Sequence, residues 1–223
     1  MRISEIEKIM QQGHFSEELF AEFQTALKRV PKNLRCQHCA ATARCLRYTD
    51  PENGIRLIRY GLEIPETRWV DRMVACGELG GIYEASSRYP EAKAAYESML
   101  SAVPEDKRAD YIPNLSMNIL RAELHCSKFE YTEYAYVLYQ SVLKADAFTA
   151  AFRQFAFYRA IMELIIAKKN KARDAQADAY NAATLALNNS ETTGMDLLLK
   201  RHRYNDDAHV SREARAFLKK NKI

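Results

Sequence analysis

The chain has 223 residues, enough for one domain or two small ones with a sizeable core. Apolar residues make up 48% and charged residues 28%, an ordinary globular composition that excludes a disordered chain. Only seven glycines and six prolines are present, which argues against an all-β sandwich or barrel with its many tight turns.

Taken in chain order, the apolar spacing is helical nearly throughout. Ile3, Ile6 and Met10 form a stripe that ends at Gly13. A second stripe, Leu19, Phe23, Ala26, Leu27 and Val30, stops at Pro31. Cys36, Cys39, Ala43 and Leu46 form a third, ending before Asp50-Pro51, where Asp50 can cap and Pro51 suits a first helical turn. Ile55, Ile58 and Leu62 follow, closed by Pro65. Trp69, Met73, Cys76, Leu79 and Tyr83 continue to a break at Arg88-Tyr89-Pro90; Ala92, Tyr96, Met99 and Val103 then run to Pro104. The spacing predicts helices over 2–12, 16–29, 33–48, 52–63, 66–87, 90–102, 108–127, 131–145, 148–168, 171–188, 193–203 and 208–220. Short connections make these helical hairpins.

Residues 73–106 carry Leu79-Gly80, Tyr83, Tyr89, Ala92, Tyr96, Met99 and Pro104. Small residues at Gly80 and Ala92 let two helices approach, and Tyr83 and Tyr96 fill the space between hairpins. This segment resembles a tetratricopeptide repeat (TPR), a helical hairpin of about 34 residues. Cys76 stands where the family usually has Trp, and Ser87 where it often has Gly at the turn between helices. Ala135, Tyr139 and Val142 repeat the pattern of Ala92, Tyr96 and Met99 at a longer interval. The resemblance implies an all-α, right-handed superhelical stack of antiparallel helix pairs, about 11–12 helices in all. Residues 1–190 would form the TPR-like domain, and 191–223 capping helices of the same domain with a basic tail.

The +4 net charge sits in that tail. Residues 200–222 hold eight basic side chains against three acids, so the preceding residues sum to −1. A nucleic-acid reader normally carries its basic face within the fold, and the tail reads as a solvated helix. The longest apolar run, Ala160 to Ala167, is broken by Glu163 and is too short for a bilayer. The opening segment lacks the apolar core of a secretion signal. Five cysteines, an odd number, point to free thiols in a reducing, cytoplasmic setting.

Chemistry-bearing motifs are sparse. Cys36-Gln-His-Cys39, with Cys45 beyond, has no second pair to complete a zinc tetrahedron and no βαβ setting for redox work. Cys36 and Cys39 read more simply as small core residues. The histidines, His14, His38, His125, His202 and His209, fall in no motif. The glycines at Gly77, Gly80 and Gly81 have the wrong spacing for a phosphate cradle, and Glu17-Glu18 and Asp206-Asp207 look solvated.

Arginine usage stands out. Between Asn33 and Ala92 there is no lysine but eight arginines: Arg35, Arg44, Arg47, Arg56, Arg59, Arg68, Arg72 and Arg88. A guanidinium grips carboxylates with two parallel bonds and stacks on rings, which an ammonium does not. The plain alternative is pairing within the fold, to Asp50, Glu52, Glu63, Glu66 and Asp71. Aromatics concentrate over residues 129–158; Tyr134, Tyr136 and Tyr139 cannot all face inward, so at least one is expected at the surface as an interface anchor.

The resemblance therefore implies a non-catalytic protein-binding module, an adaptor or sequestering protein of bacterial type. Its concave groove would be lined by Arg44, Arg47, Arg68, Arg72, Glu78, Glu84 and Tyr134. The expected partner is a protein or an acidic peptide segment, with no membrane, metal or cofactor. Two alternatives carry less: nucleic-acid association through the basic tail, and a zinc-stabilised or metal-dependent domain using Cys36 and Cys39.

Overall fold

A computed structural model describes residues 1–144, 152–188 and Lys219. Among the described residues the chain is all helical, with no strands, and ten helices follow one another: α1 (Ile3–Gln11), α2 (Glu17–Leu27), α3 (Lys32–Leu46), α4 (Pro51–Glu63), α5 (Trp69–Ala85), α6 (Tyr89–Ser101), α7 (Glu105–Cys126), α8 (Glu133–Val142), α9 (Phe152–Lys169) and α10 (Arg173–Asn188). The helices expected at 193–203 and 208–220 lie outside this description, Lys219 excepted, and so do residues 145–151. No helix among the described residues is long and apolar enough to cross a membrane.

The helix ends follow local chemistry. Ser16 caps α2 by accepting from the Leu19 amide, Asp50 caps α4 through the Asn53 amide, and Thr132 caps α8 through the Ala135 amide. Pro51 occupies the first turn of α4 as expected. Helix α5 starts at Trp69, three residues later than the periodicity predicts. Glu66 has φ +65°, a left-handed conformation that no helix tolerates, and Thr67 turns its hydroxyl back to the Ile64 carbonyl. Helix α5 ends at a left-handed Ser87 (φ +59°), the position where a glycine would be unstrained.

The chain divides into two compact units, Met1–Tyr111 and Ile112–Ile223. The division falls within α7, just ahead of Pro113, which lacks an amide hydrogen for the helix ladder. In the first unit α3 packs along α4 and α5 along α6, while α5 also meets α3 and α4, and α1 rests on α2 and α3. The core is built from Ile6, Met10, Phe23, Leu27, Cys39, Ala43, Leu46, Leu57, Ile58, Ile82, Ala92 and Tyr96.

Two glycines set the spacing of these helices. A Cβ on Gly61 of α4 would lie 2.7 Å from Cys39 Cβ on α3, and one on Gly80 of α5 would collide with the Tyr96 ring of α6, 2.3 Å from its Cε1. The small-residue reading of Gly80 thus describes a real close approach between α5 and α6, and Ala92 is buried.

In the second unit α9 and α10 pack along each other, and α8 touches α9. Buried Tyr158, Ala160, Ile161, Met162, Leu164 and Ile165 surround much of α9. Phe148 lies outside the described residues, and nothing is described of the Phe152, Phe155 and Phe157 side chains.

Candidate functional site

Arg44 and Arg47 both project from α3 and converge on one carboxylate, Glu78 of α5. Arg44 Nη2 is 2.6 Å from Glu78 Oε1 and Arg47 Nη2 is 2.6 Å from Oε2. Glu78 is mostly buried and Arg47 partly so, whereas Arg44 is 60% exposed. The Arg47 guanidinium lies flat on α5 because Gly81 has no side chain there: a Cβ on Gly81 would come within 2.7 Å of it. Arg47 Nε is buried with no hydrogen-bond partner among the described residues. Two cations on one anion leave this cluster with a net positive charge and spare N–H donors.

Val74 and Val70 stand one and two turns before Glu78 on the same ridge of α5, and each is 39% exposed. Tyr48, just beyond α3, is exposed as well. The face shared by α3 and α5 therefore joins a cationic cluster to a short apolar strip.

The other arginines of the lysine-free stretch are largely committed within the fold. Arg68 precedes α5 and donates to Asp71 through Nε at 2.7 Å and Nη2 at 3.2 Å. Gln37 of α3 donates to the same carboxylate at 2.6 Å. Burial works to raise the Asp71 carboxyl, but the hydrogen bonds from Arg68 and Gln37 outweigh it and hold the group below the usual aspartate range. Arg72 is exposed and forms no hydrogen bond or ion pair among the described residues; its charge falls on the buried thiols of Cys36 and Cys76.

Arg56 grips Glu17 with both Nη atoms and stacks over the Phe20 ring at 4.2 Å. Arg88 stacks on Tyr83 at 4.7 Å and pairs with Glu52 and Glu91. Arg59 donates to the Tyr83 hydroxyl, and Arg35 donates to the Val30 and Lys28 carbonyls. Pairing within the fold thus accounts for most of the eight, though often with acids other than those expected from the sequence. An open depression of about 390 Å³ lined by Phe20, Ile55, Arg56, Arg59 and Tyr60, with Glu52 and Glu63 at its sides, lies among these stacked pairs.

Glu84 accepts from the Tyr96 hydroxyl at 2.8 Å and ties α5 to α6. Tyr134 belongs to the second unit. On α8 it is 40% exposed, with the still more exposed Val137 nearby, while Tyr139 is buried and Tyr136 half-buried. Surface exposure therefore falls on Tyr134. Tyr139 meets Glu163 of α9; burial first, and then the Glu163 charge, push its hydroxyl up to about 12.

The three buried thiols are unreactive by environment. Cys36 and Cys39 are buried on α3 and Cys76 on α5. Burial raises the Cys36 thiol to about 11, with Asp71 adding and Arg72 opposing. Burial raises Cys39 further, helped by Cys36 and Glu7. A thiol is a metal ligand or nucleophile only as thiolate. Among the described residues no group of three or more His, Cys, Asp or Glu stands together as a metal site.

One further polar cluster has no signature in the residue order. His38 of α3 pairs with Glu7 of α1 at 2.6 Å, with the Thr42 hydroxyl alongside. Nothing in a lone His and a Glu 31 positions earlier marks them as neighbours. The chain matches no known family model, no curated protein and no solved structure.

Proposed function

We propose that the chain is a non-catalytic protein-binding module built of stacked helical hairpins in the manner of TPR proteins. It takes a peptide segment of its partner across α3 and α5. One observation carries this reading: Arg44 and Arg47 share the single carboxylate of Glu78 beside the exposed Val70 and Val74. A partner carboxylate can take the donors that Glu78 leaves unused, while an apolar side chain one or two residues away covers the valines. Helices hold these groups in place before binding, so little ordering entropy is lost. The segment that fits is acidic and apolar by turns. Arg68 and Asp71 serve this face as supports that lock α5 against α3.

A library of displayed random peptides tests the reading. The full chain should retain sequences rich in Asp or Glu next to Leu, Ile or Phe. Val74→Glu, which leaves the Arg–Glu cluster intact, and the double change Arg44→Glu with Arg47→Glu should each lose them, with helical content by circular dichroism unchanged. Selection of the same peptides by both variants would overturn the assignment.

A further inference from the structure

Helix α1 is nine residues long, too short to hold its shape alone in water. It is kept in place by packing on α2 and α3, and only Ile6 and Met10 among its side chains are buried. Between them on the chain stands Glu7. Its Oε1 lies 2.6 Å from His38 Nδ1 and 3.5 Å from the Thr42 hydroxyl, which also reaches the His38 carbonyl at 2.9 Å. The Glu7 side chain is 16% exposed and that of His38 31%, so the pair is shielded from much of the screening that weakens surface ion pairs.

We propose that the Glu7–His38 pair is a pH-sensitive catch that holds α1 on α3 while the imidazole is protonated and slackens when the ring loses its proton.

Among the described residues Glu7 is the charged group bonded to the ring, and on α1 Glu5 is turned back to the Arg2 amide. On α3 itself, Arg35 is turned to the Val30 and Lys28 carbonyls and Arg44 to Glu78. On α5, Asp71 is held by Arg68 and Gln37. On α4, Arg56 is held by Glu17 and Glu52 by Arg88, and Arg59 donates to Tyr83. The hydrogen bond to Glu7 raises the His38 pKa above its ordinary value; partial burial opposes this and the Glu7 charge adds to it. A group raised on folding contributes its full stabilisation below its unfolded value of about 6.5 and loses it as pH climbs through the folded value. The catch is therefore engaged in mildly acidic solution and slack in mildly alkaline solution. A neutral ring with its hydrogen on Nδ1 still donates to Glu7, so α1 loosens and does not unfold outright.

Hydrogen exchange on the full chain, corrected for the intrinsic pH dependence of exchange, tests this. Protection of the Ile6–Met10 amides, measured against that of α5, should fall between pH 6 and pH 8.5. The fall should be up to about tenfold for each unit by which His38 is raised. His38→Gln should make the ratio flat with pH, and His14→Gln should leave it sloping. The His38 ring, followed by NMR in the unaltered chain, should titrate above its ordinary value and return toward it in Glu7→Gln. A flat ratio in the unaltered chain, a slope that survives His38→Gln, or a His38 titration at or below the ordinary value would each overturn the proposal. The ring titration keeps the test decisive if the His38 variant fails to fold.

Discussion

In the unit Met1–Tyr111, helices meet where a side chain is missing; in Ile112–Ile223, they meet where large ones are crowded together. Six of the seven glycines fall in the first unit. Gly61 lets α4 come down on Cys39, Gly80 takes the Tyr96 ring, and Gly81 seats the Arg47 guanidinium. Around these contacts run guanidinium–carboxylate and guanidinium–ring pairs. In the second unit α9 is buried along most of its circumference by Tyr158, Ile161, Met162, Leu164 and Ile165. Its polar links, Arg159 with Glu163 and Lys169 with Glu133, lie at the margins. Close backbone approach fixes position, because a helix seated on a glycine has nowhere else to go. Bulky burial supplies more free energy per residue and tolerates more repacking.

Substitutions in the two units should therefore fail differently. The largest effect is expected from Ile161→Ala, which empties a fully buried position of α9 and should cost about 2–5 kcal/mol, read by urea denaturation with far-UV circular dichroism. Asp71→Ala comes next. It strands Gln37 and removes the charged acceptor that links α3 to α5, for a cost of about 2–3 kcal/mol. The single tryptophan reports on it, because Trp69 packs edge-on against Tyr111 within the first unit.

Gly80→Ala should cost about 1–3 kcal/mol by overpacking against Tyr96, despite the better helix propensity of alanine. Its neighbour sharpens the point. Gly77→Ala meets only the flexible Met99 Sδ at 3.0 Å and should be neutral or stabilising by up to about 1 kcal/mol. Equal costs at the two glycines would break the claim that close approach at Gly80 fixes the α5–α6 contact of the first unit. The smallest effect is expected from Glu17→Gln, whose exposed pair with Arg56 should leave the urea midpoint unchanged. Acid sets a boundary for the first unit. The Asp71 carboxyl is depressed on folding, so its contribution is complete above about pH 4 and drains away as pH falls through the folded value. Asp71→Asn should remove that part of the acid transition seen by Trp69 fluorescence.

Local signals were legible in the residues. Asp50-Pro51 opens α4, Pro31 precedes α3, and the third apolar stripe puts Cys36 and Cys39 inside. Each depends on neighbours within a few positions, which periodicity and turn chemistry can read. The long-range pairs were not legible. Glu17 looked solvated, yet it receives both arms of Arg56 from 39 residues away. Glu7 and His38 share no spacing rule at all. Arg44 and Arg47 stand out by residue type and Glu78 only as one polar side chain among several; that they converge is visible only once α3 and α5 are docked.

The two solvent-facing cysteines have a practical consequence. Cys45 stands on the exposed side of α3 in the first unit and Cys126 ends α7 in the second, while Cys36, Cys39 and Cys76 are shut in the interior. An alkylating dye at neutral pH will choose Cys45 and Cys126, one on each half of the protein. The native chain thus comes supplied with anchor points for a donor and an acceptor fluorophore, and energy transfer between them can follow the separation of the halves with no engineered residue.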